Sequence, residues 1–73
     1  MKTIAKVESQ FCEYQIIKIQ NGYLIQIVGI SESNQGYKDC VYNQGRQETF
    51  NQFMFLTRLG GLQLKWDFEQ IEW

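Results

Sequence analysis

The sequence predicts a small α+β domain, in which one helix packs across an antiparallel sheet of three to five strands in the approximate order β-β-β-β-α-β. Two strand-like segments flank an Asn-Gly pair, which is typical of a β-hairpin. One helical segment ends at a Gly-Gly pair, and the segment after it alternates apolar and polar residues. Because the chain has 73 residues and no proline, we expect a single domain over residues 1–73.

The N-terminal segment, residues 3–12, fits two kinds of secondary structure. Ile4, Val7 and Phe11 recur at a helical spacing, whereas residues 3–8 also alternate as they would in a strand. A strand is favoured because the segment that follows is strongly β in composition.

The clearest local signal is a hairpin made by residues 14–20 and 23–30. Asn-Gly is the preferred pair for a type I′ turn, which predicts a two-residue loop at Asn21-Gly22. This loop sets the following pairs: Gln20–Tyr23, Lys18–Ile25, Ile16–Ile27 and Tyr14–Gly29 on one face, and Ile19–Leu24, Ile17–Gln26 and Gln15–Val28 on the other. Both faces then carry aliphatic side chains, so either both are covered within the protein or one is covered by another chain.

Residues 31–36 are predicted as a polar loop, and residues 37–42 as a further strand. A helix is then predicted from about Arg46 or Thr49 to Leu59. Thr49, three residues before a glutamine, matches the capping-box pattern. One face of this helix is apolar and contains Phe50, Phe53, Met54 and Thr57. Gly60-Gly61 is expected to end it with a left-handed residue.

The C-terminal segment has the alternation of a half-buried strand. Its apolar positions are Leu62, Leu64, Trp66 and Phe68. The phase then slips by one residue, since Ile71 and Trp73 are odd-numbered. A bulge near Gln70, or a bend into a last short element, would explain the slip.

The composition argues against an enzyme. The chain has no histidine, which removes the commonest general base and a common metal ligand, and it has no glycine-rich phosphate loop. We therefore expect no catalytic residue, no cofactor and no metal site. Cys12 and Cys40 are expected to be buried free thiols of a reducing compartment, although a disulfide between them stays open.

Charge and hydropathy narrow the location and the partners. Basic and acidic residues are nearly balanced at a net charge of −1, and the basic ones are scattered, which argues against nucleic acid as a partner. No secretory signal is recognisable, and the apolar runs are far too short to span a membrane. A cytoplasmic location without membrane contact is expected.

Six residues are candidates for contact with a protein partner. Asp67, Glu69 and Glu72 make an acidic group for which a solvated strand face is favoured over a cation site. Trp73 follows the phase slip, and an exposed tryptophan is typical of a binding hot spot. Gln15 and Gln26 lie on the second face of the hairpin.

One resemblance spans most of the chain. The pattern Tyr14-x-Ile-x-Lys-x-x-Asn-Gly-Tyr-x-Ile, followed by a polar loop, a short strand and a helix closed by Gly-Gly, resembles small orphan proteins of bacteriophages and mobile elements. Some anti-CRISPR inhibitors have this build. The resemblance implies a host-directed protein that acts by binding, such as an inhibitor of a host defence complex in the host cytoplasm.

Three functions therefore stand as hypotheses. The first is a non-enzymatic protein–protein interaction module, such as a phage-encoded inhibitor. The second is a single-stranded nucleic-acid binder that stacks bases on Trp66, Phe68 and Trp73, although no basic stripe accompanies these rings. The third is a self-assembling subunit that buries the second sheet face in a homodimer.

Overall fold

The structure is a computed structural model that describes residues 1–73. The chain folds into a four-stranded antiparallel sheet with one helix across it. The strands follow one another in chain order across the sheet, so each is joined to its neighbour by a short connection or a loop. The elements are β1 (Lys2–Glu8), β2 (Cys12–Ile19), β3 (Gly22–Gly29), β4 (Lys38–Asn43) and α1 (Arg46–Leu59), with 3₁₀ turns at Glu32–Asn34 and Phe68–Gln70. The predicted α+β class is confirmed. No helix is long and apolar enough to cross a membrane.

The N-terminal segment forms a strand, β1, which confirms the prediction that favoured a strand over a helix. β1 pairs antiparallel with β2 and places Ala5 opposite Ile16 and Val7 opposite Tyr14. The register shifts between Thr3 and Ala5, which marks an irregularity in the edge strand. Bulges of this kind are common at sheet edges, where they increase the local twist.

The hairpin between β2 and β3 forms, but its predicted pairs are wrong by two residues. Ile19 pairs with Gly22 and Tyr14 pairs with Ile27, so the turn is Gln20-Asn21 rather than Asn21-Gly22. No residue other than glycine has a positive φ, which excludes the predicted type I′ turn at Asn21. A shift of two residues leaves every side chain on its predicted face, because side chains alternate with a period of two.

The core lies between the sheet and α1. Its buried apolar residues are Ala5, Tyr14, Ile16, Tyr23, Ile25, Ile27, Phe53 and Ile71. From α1, Thr49, Phe53 and Thr57 are buried on one stripe, as their spacing of four residues requires. We call the sheet face that meets α1 the helix face.

The helix has the predicted span, starting at Arg46, but its N-cap differs from the predicted one. Gly45 is the N-cap, and Thr49 lies inside the helix with its hydroxyl donating to the Gly45 carbonyl at 2.6 Å. The predicted capping box at Thr49 is therefore wrong. The predicted stop is confirmed, because Gly61 has a φ of 93° and its N–H donates to the Arg58 carbonyl.

The C-terminal segment is not the predicted strand. The apolar residues Leu62, Leu64, Trp66 and Phe68 are half-buried and the polar residues between them are exposed, so the predicted alternation is present without strand pairing. The apolar residues pack on the core beside α1, out of the plane of the sheet. The predicted bend is confirmed as the turn at Phe68–Gln70, after which Ile71 is buried.

The two cysteines are free and lie on opposite sides of the sheet. Cys12 is half-buried on the helix face, two residues before Tyr14 in β2 and therefore on the same side of the strand. Cys40 is exposed and pairs with Gln26, whose side chain points away from α1. The expected burial of Cys40 is therefore wrong. The placement on opposite faces prevents a disulfide within one chain.

Candidate protein interface on the open sheet face

The sheet face that points away from α1 is the candidate site, and we call it the open face. Both α1 and the C-terminal segment pack on the helix face, so the second face carries no covering element. Strand pairing arranges the open face as three rows of four side chains, each row running across the sheet from β1 to β4. The rows differ in chemistry.

The first row is mostly apolar. Ile17 lies opposite Leu24, with Thr3 at the β1 edge and Tyr42 at the β4 edge. Ile17 and Leu24 are half-buried, and Tyr42 is 52% exposed. The Tyr42 hydroxyl donates to the Asn21 carbonyl, which holds its ring across the hairpin end of the face. This row makes the hairpin end of the open face apolar, with its aliphatic side chains on the two inner strands.

The second row is made of uncharged polar groups and one cation. Gln15 and Gln26 are directly paired, with Lys6 beside Gln15 and Cys40 beside Gln26. The Gln15 amide donates to a carboxylate oxygen of Glu13. Gln15 and Gln26 therefore lie together on the second face, where the sequence placed them.

The third row carries charges of opposite sign at its two ends. Glu8 and Glu13 are paired at the β1 side, and Lys38 lies opposite Val28 at the β4 edge. Lys6 bonds Glu13 at 3.4 Å, which is the only ion pair in the structure. Glu8 and Lys38 have no ion-pair partner, so each edge of the face has one uncompensated charge.

The other predicted contact residues lie elsewhere. Asp67, Glu69 and Glu72 are exposed in the C-terminal segment, on the side of the sheet that α1 occupies. Trp73 is half-buried there: its ring stacks on Phe68 at 5.1 Å between centroids, and its indole N–H donates to the Phe68 carbonyl. The predicted set is thus divided between two opposite surfaces.

Trp73 also closes the core on the helix face. Its ring meets Tyr23 edge-on at 5.3 Å, and the Tyr23 hydroxyl donates to the Trp73 main-chain oxygen at 3.1 Å. Phe50 contacts the rings of both Phe68 and Trp73, and Trp66 stacks on Phe53 at 5.9 Å. The rings proposed for base stacking therefore pack largely against one another.

A concave surface separate from the open face, which sequence patterns did not reveal, lies at the C-terminal end of α1. This open groove has a volume of about 360 Å³ and is lined mainly by apolar side chains. Its floor includes Tyr14 and Cys12, and its rim includes Leu56, Leu59 and Tyr37. Burial raises the pKa of Tyr14, and the neighbouring Cys12 thiol raises it further. Because these residues come from distant parts of the chain, no local motif indicates the groove.

Two further observations bear on function. No group of three or more Cys, Asp and Glu side chains is arranged to hold a metal ion. Comparisons with known protein families, with curated protein sequences and with solved structures find no match to this chain.

Proposed function

We propose that this chain is a non-enzymatic protein-binding module and that the open face is its binding surface. The observation that carries the proposal is the row of Ile17, Leu24 and Tyr42 on the side of the sheet that α1 leaves bare. An antiparallel sheet with one wet face usually alternates apolar and polar residues cleanly along each strand. The two inner strands, β2 and β3, instead carry aliphatic residues on both sides.

The layout of the open face suits contact with a protein. The aliphatic side chains Ile17, Leu24 and Val28 lie on the two inner strands, β2 and β3, whereas three of the four charged side chains, Lys6, Glu8 and Lys38, lie on the edge strands. Protein interfaces share this arrangement, with an apolar centre and a polar rim. Covering apolar surface stabilises a complex by about 25 cal/mol per Å², less the cost of ordering the partners.

Site-specific photo-cross-linking tests the proposal. A p-benzoylphenylalanine in place of Leu24 puts the reactive group on an inner strand of the open face, in its apolar row, and the same residue in place of the exposed Lys65 is the matched control. In cells that express the chain naturally, we expect a protein adduct from position 24 and none from position 65. Circular dichroism of both variants checks that the fold is retained.

The pattern of adducts separates the outcomes. Adducts from position 65 alone would place binding on the opposite side and overturn the assignment of the surface. No adduct from either position would overturn the protein-binding function. Mass spectrometry of the adduct then identifies the partner: one dominant host protein fits an inhibitor or adaptor, and peptides of the chain itself fit self-assembly.

A further inference from the structure

We propose that the partner on the open face is a second copy of this chain, related by a two-fold axis that runs parallel to the strands between β2 and β3. The inference rests on the proposed function, because it uses the same surface. Three features of the face support a second copy: the charges at its two edges, the side chains along its midline and its area.

A two-fold axis parallel to the strands keeps each residue's position along the sheet and exchanges its two edges. β1 of one copy then lies over β4 of the other. Glu8 and Lys38 occupy the same row at opposite edges, so each Glu8 meets the Lys38 of the other copy. Two ion pairs form by symmetry, as an isologous interface requires.

These charges have no such partner within one copy. β1 and β4 are separated by three strand spacings, about 14 Å, which is too far for Glu8 to reach Lys38 across its own sheet. The other two charged residues of the open face, Lys6 and Glu13, already form an ion pair with each other at 3.4 Å. The dimer therefore pairs the charges that the monomer leaves uncompensated.

The centre of the face is also complementary to itself under this axis. Ile17 and Leu24 are direct neighbours across the midline, so each lies over the other in the second copy. Gln15 and Gln26 are related in the same way, and an amide offers both donors and acceptors to another amide. The apolar row thus meets an apolar row, and the amide pair meets an amide pair.

The alternative axis, in the same plane but across the strands, does not produce this match. It would place β1 over β1 and reverse the direction along each strand. Glu8 would then lie near Thr3 and Lys38 near Tyr42, so no opposite charges would meet. Charge complementarity therefore selects the axis parallel to the strands.

The area of the face sets the expected affinity. Four strands of six to eight residues cover roughly 19 Å by 23 Å, at about 4.8 Å per strand and about 3.3 Å per residue. Counting both copies, such an interface covers roughly 900 Å², which is below the range of about 1,200–2,000 Å² for stable interfaces and in the range of weak, reversible ones. We expect a dissociation constant on the order of micromolar.

Sedimentation equilibrium from low micromolar to near-millimolar concentration tests the dimer, and a charge swap tests its geometry. We expect Lys38→Glu and Glu8→Lys each to weaken association about tenfold, because each places like charges opposite one another. The double variant restores opposite charges and should return to within about threefold of the natural chain. Lys65→Glu makes the same charge change away from the face and should leave association unchanged.

The natural cysteines provide a second, independent readout. Cys40 lies on the open face, where the other copy covers it, whereas Cys12 lies on the helix face. The rate at which a bulky maleimide modifies Cys40 should therefore fall as protein concentration rises. The rate at Cys12 should stay constant, and this makes Cys12 an internal control.

Each contrary result overturns a stated part of the proposal. A monomer at all concentrations overturns the dimer, and if position 24 still cross-links to another protein, the binding function stands with a different partner. Association that the double variant fails to restore overturns the two-fold arrangement. Equal slowing of Cys12 and Cys40 modification overturns the assignment of the dimer contact to the open face.

Discussion

Gly60 lies against the hydroxyl of Tyr14 where α1 ends, and this contact leaves no space for a side chain. A Cβ added there would collide with the Tyr14 hydroxyl and lie 2.9 Å from the ring carbon that carries it. The φ of Gly60 is −81°, so space rather than backbone conformation requires glycine. This single residue allows the C-terminal end of α1 to approach β2.

We expect Gly60→Ala to lower the free energy of unfolding by about 1–3 kcal/mol, as over-packing does in a well-packed core. Adding Tyr14→Phe removes the colliding oxygen and should recover part of that loss. Urea denaturation of the single and double variants measures both effects. Gly61→Ala is the control: it has a positive φ but no neighbour within 4 Å, so its cost should not respond to Tyr14→Phe.

The buried hydroxyl of Tyr14 also makes stability depend on pH. Burial, and then the Cys12 thiol, raise the pKa of Tyr14 in the folded chain. Above about pH 10, the unfolded chain therefore releases a proton that the folded chain retains, and the free energy of unfolding falls as pH rises. We expect Tyr14→Phe to make this fall shallower in urea denaturation from about pH 9 to about pH 11. Equal slopes in the two chains would contradict it.

The β2–β3 hairpin could form in two registers, the predicted one and the observed one, which differ by two residues. Both registers place the same side chains on the same faces, so the pattern of faces does not distinguish them. In the observed register, Gly22 begins β3, and an added Cβ would lie 2.7 Å from the Asn43 carbonyl oxygen. Asn21 is a turn residue with an ordinary negative φ. Glycine is therefore required at position 22 both by the approach of β4 and by its own positive φ of 153°, and not by a type I′ turn at Asn21-Gly22.

We expect Gly22→Ala to lower the free energy of unfolding by about 1–3 kcal/mol, and Asn21→Ala to change it by less than about 0.5 kcal/mol. Thermal denaturation of both variants is the measurement. A large loss from Asn21→Ala would indicate the type I′ register that the Asn-Gly pair predicted.

The C-terminal segment is attached by its aromatic rings rather than by strand pairing. Trp73 packs on Tyr23, Phe50 and Phe68. We expect Trp73→Ala to cost about 2–4 kcal/mol of stability, since truncating a packed aromatic side chain removes its buried area. Phe55→Ala, at an exposed position of α1, is the matched control and should cost less than about 0.5 kcal/mol. Denaturation curves that coincide for Trp73→Ala and the natural chain would contradict this role.

These elements show what periodicity can predict. It gave the span of α1, the strands β2 to β4 and the faces of the hairpin, because burial alternates with the period of each structure, whereas β1 was favoured only from the β composition of the segment that follows it. It failed at the segment around Leu64 and Trp66, because alternation reports half-burial, and a chain packed beside a helix is half-buried without any strand partner. Thr49 was missed as a core residue because its hydroxyl is satisfied by a helix carbonyl, which its residue type does not reveal.

At the scale of the molecule, the sequence alone did not decide which sheet face is open. Ile16 and Ile17 are adjacent and equally apolar, so the pattern of β2 is nearly symmetric between its two faces. The choice is made by α1 and the aromatic C-terminal segment, whose packing surface fits Tyr14, Ile16 and Tyr23. The aliphatic residues that remain outside this core are the ones available to another chain.

A dimer through this face links stability to concentration. Because only the folded chain can pair, mass action stabilises it above the dissociation constant. For a domain of this size, each tenfold rise in concentration should raise the melting temperature by about 2–5 °C. Calorimetry at several concentrations should show this rise for the natural chain and for Lys65→Glu, and a much smaller one for Lys38→Glu. A melting temperature of the natural chain that does not change with concentration would mean that the folded monomer gains no stability from pairing. The partner of the open face would then be a different protein.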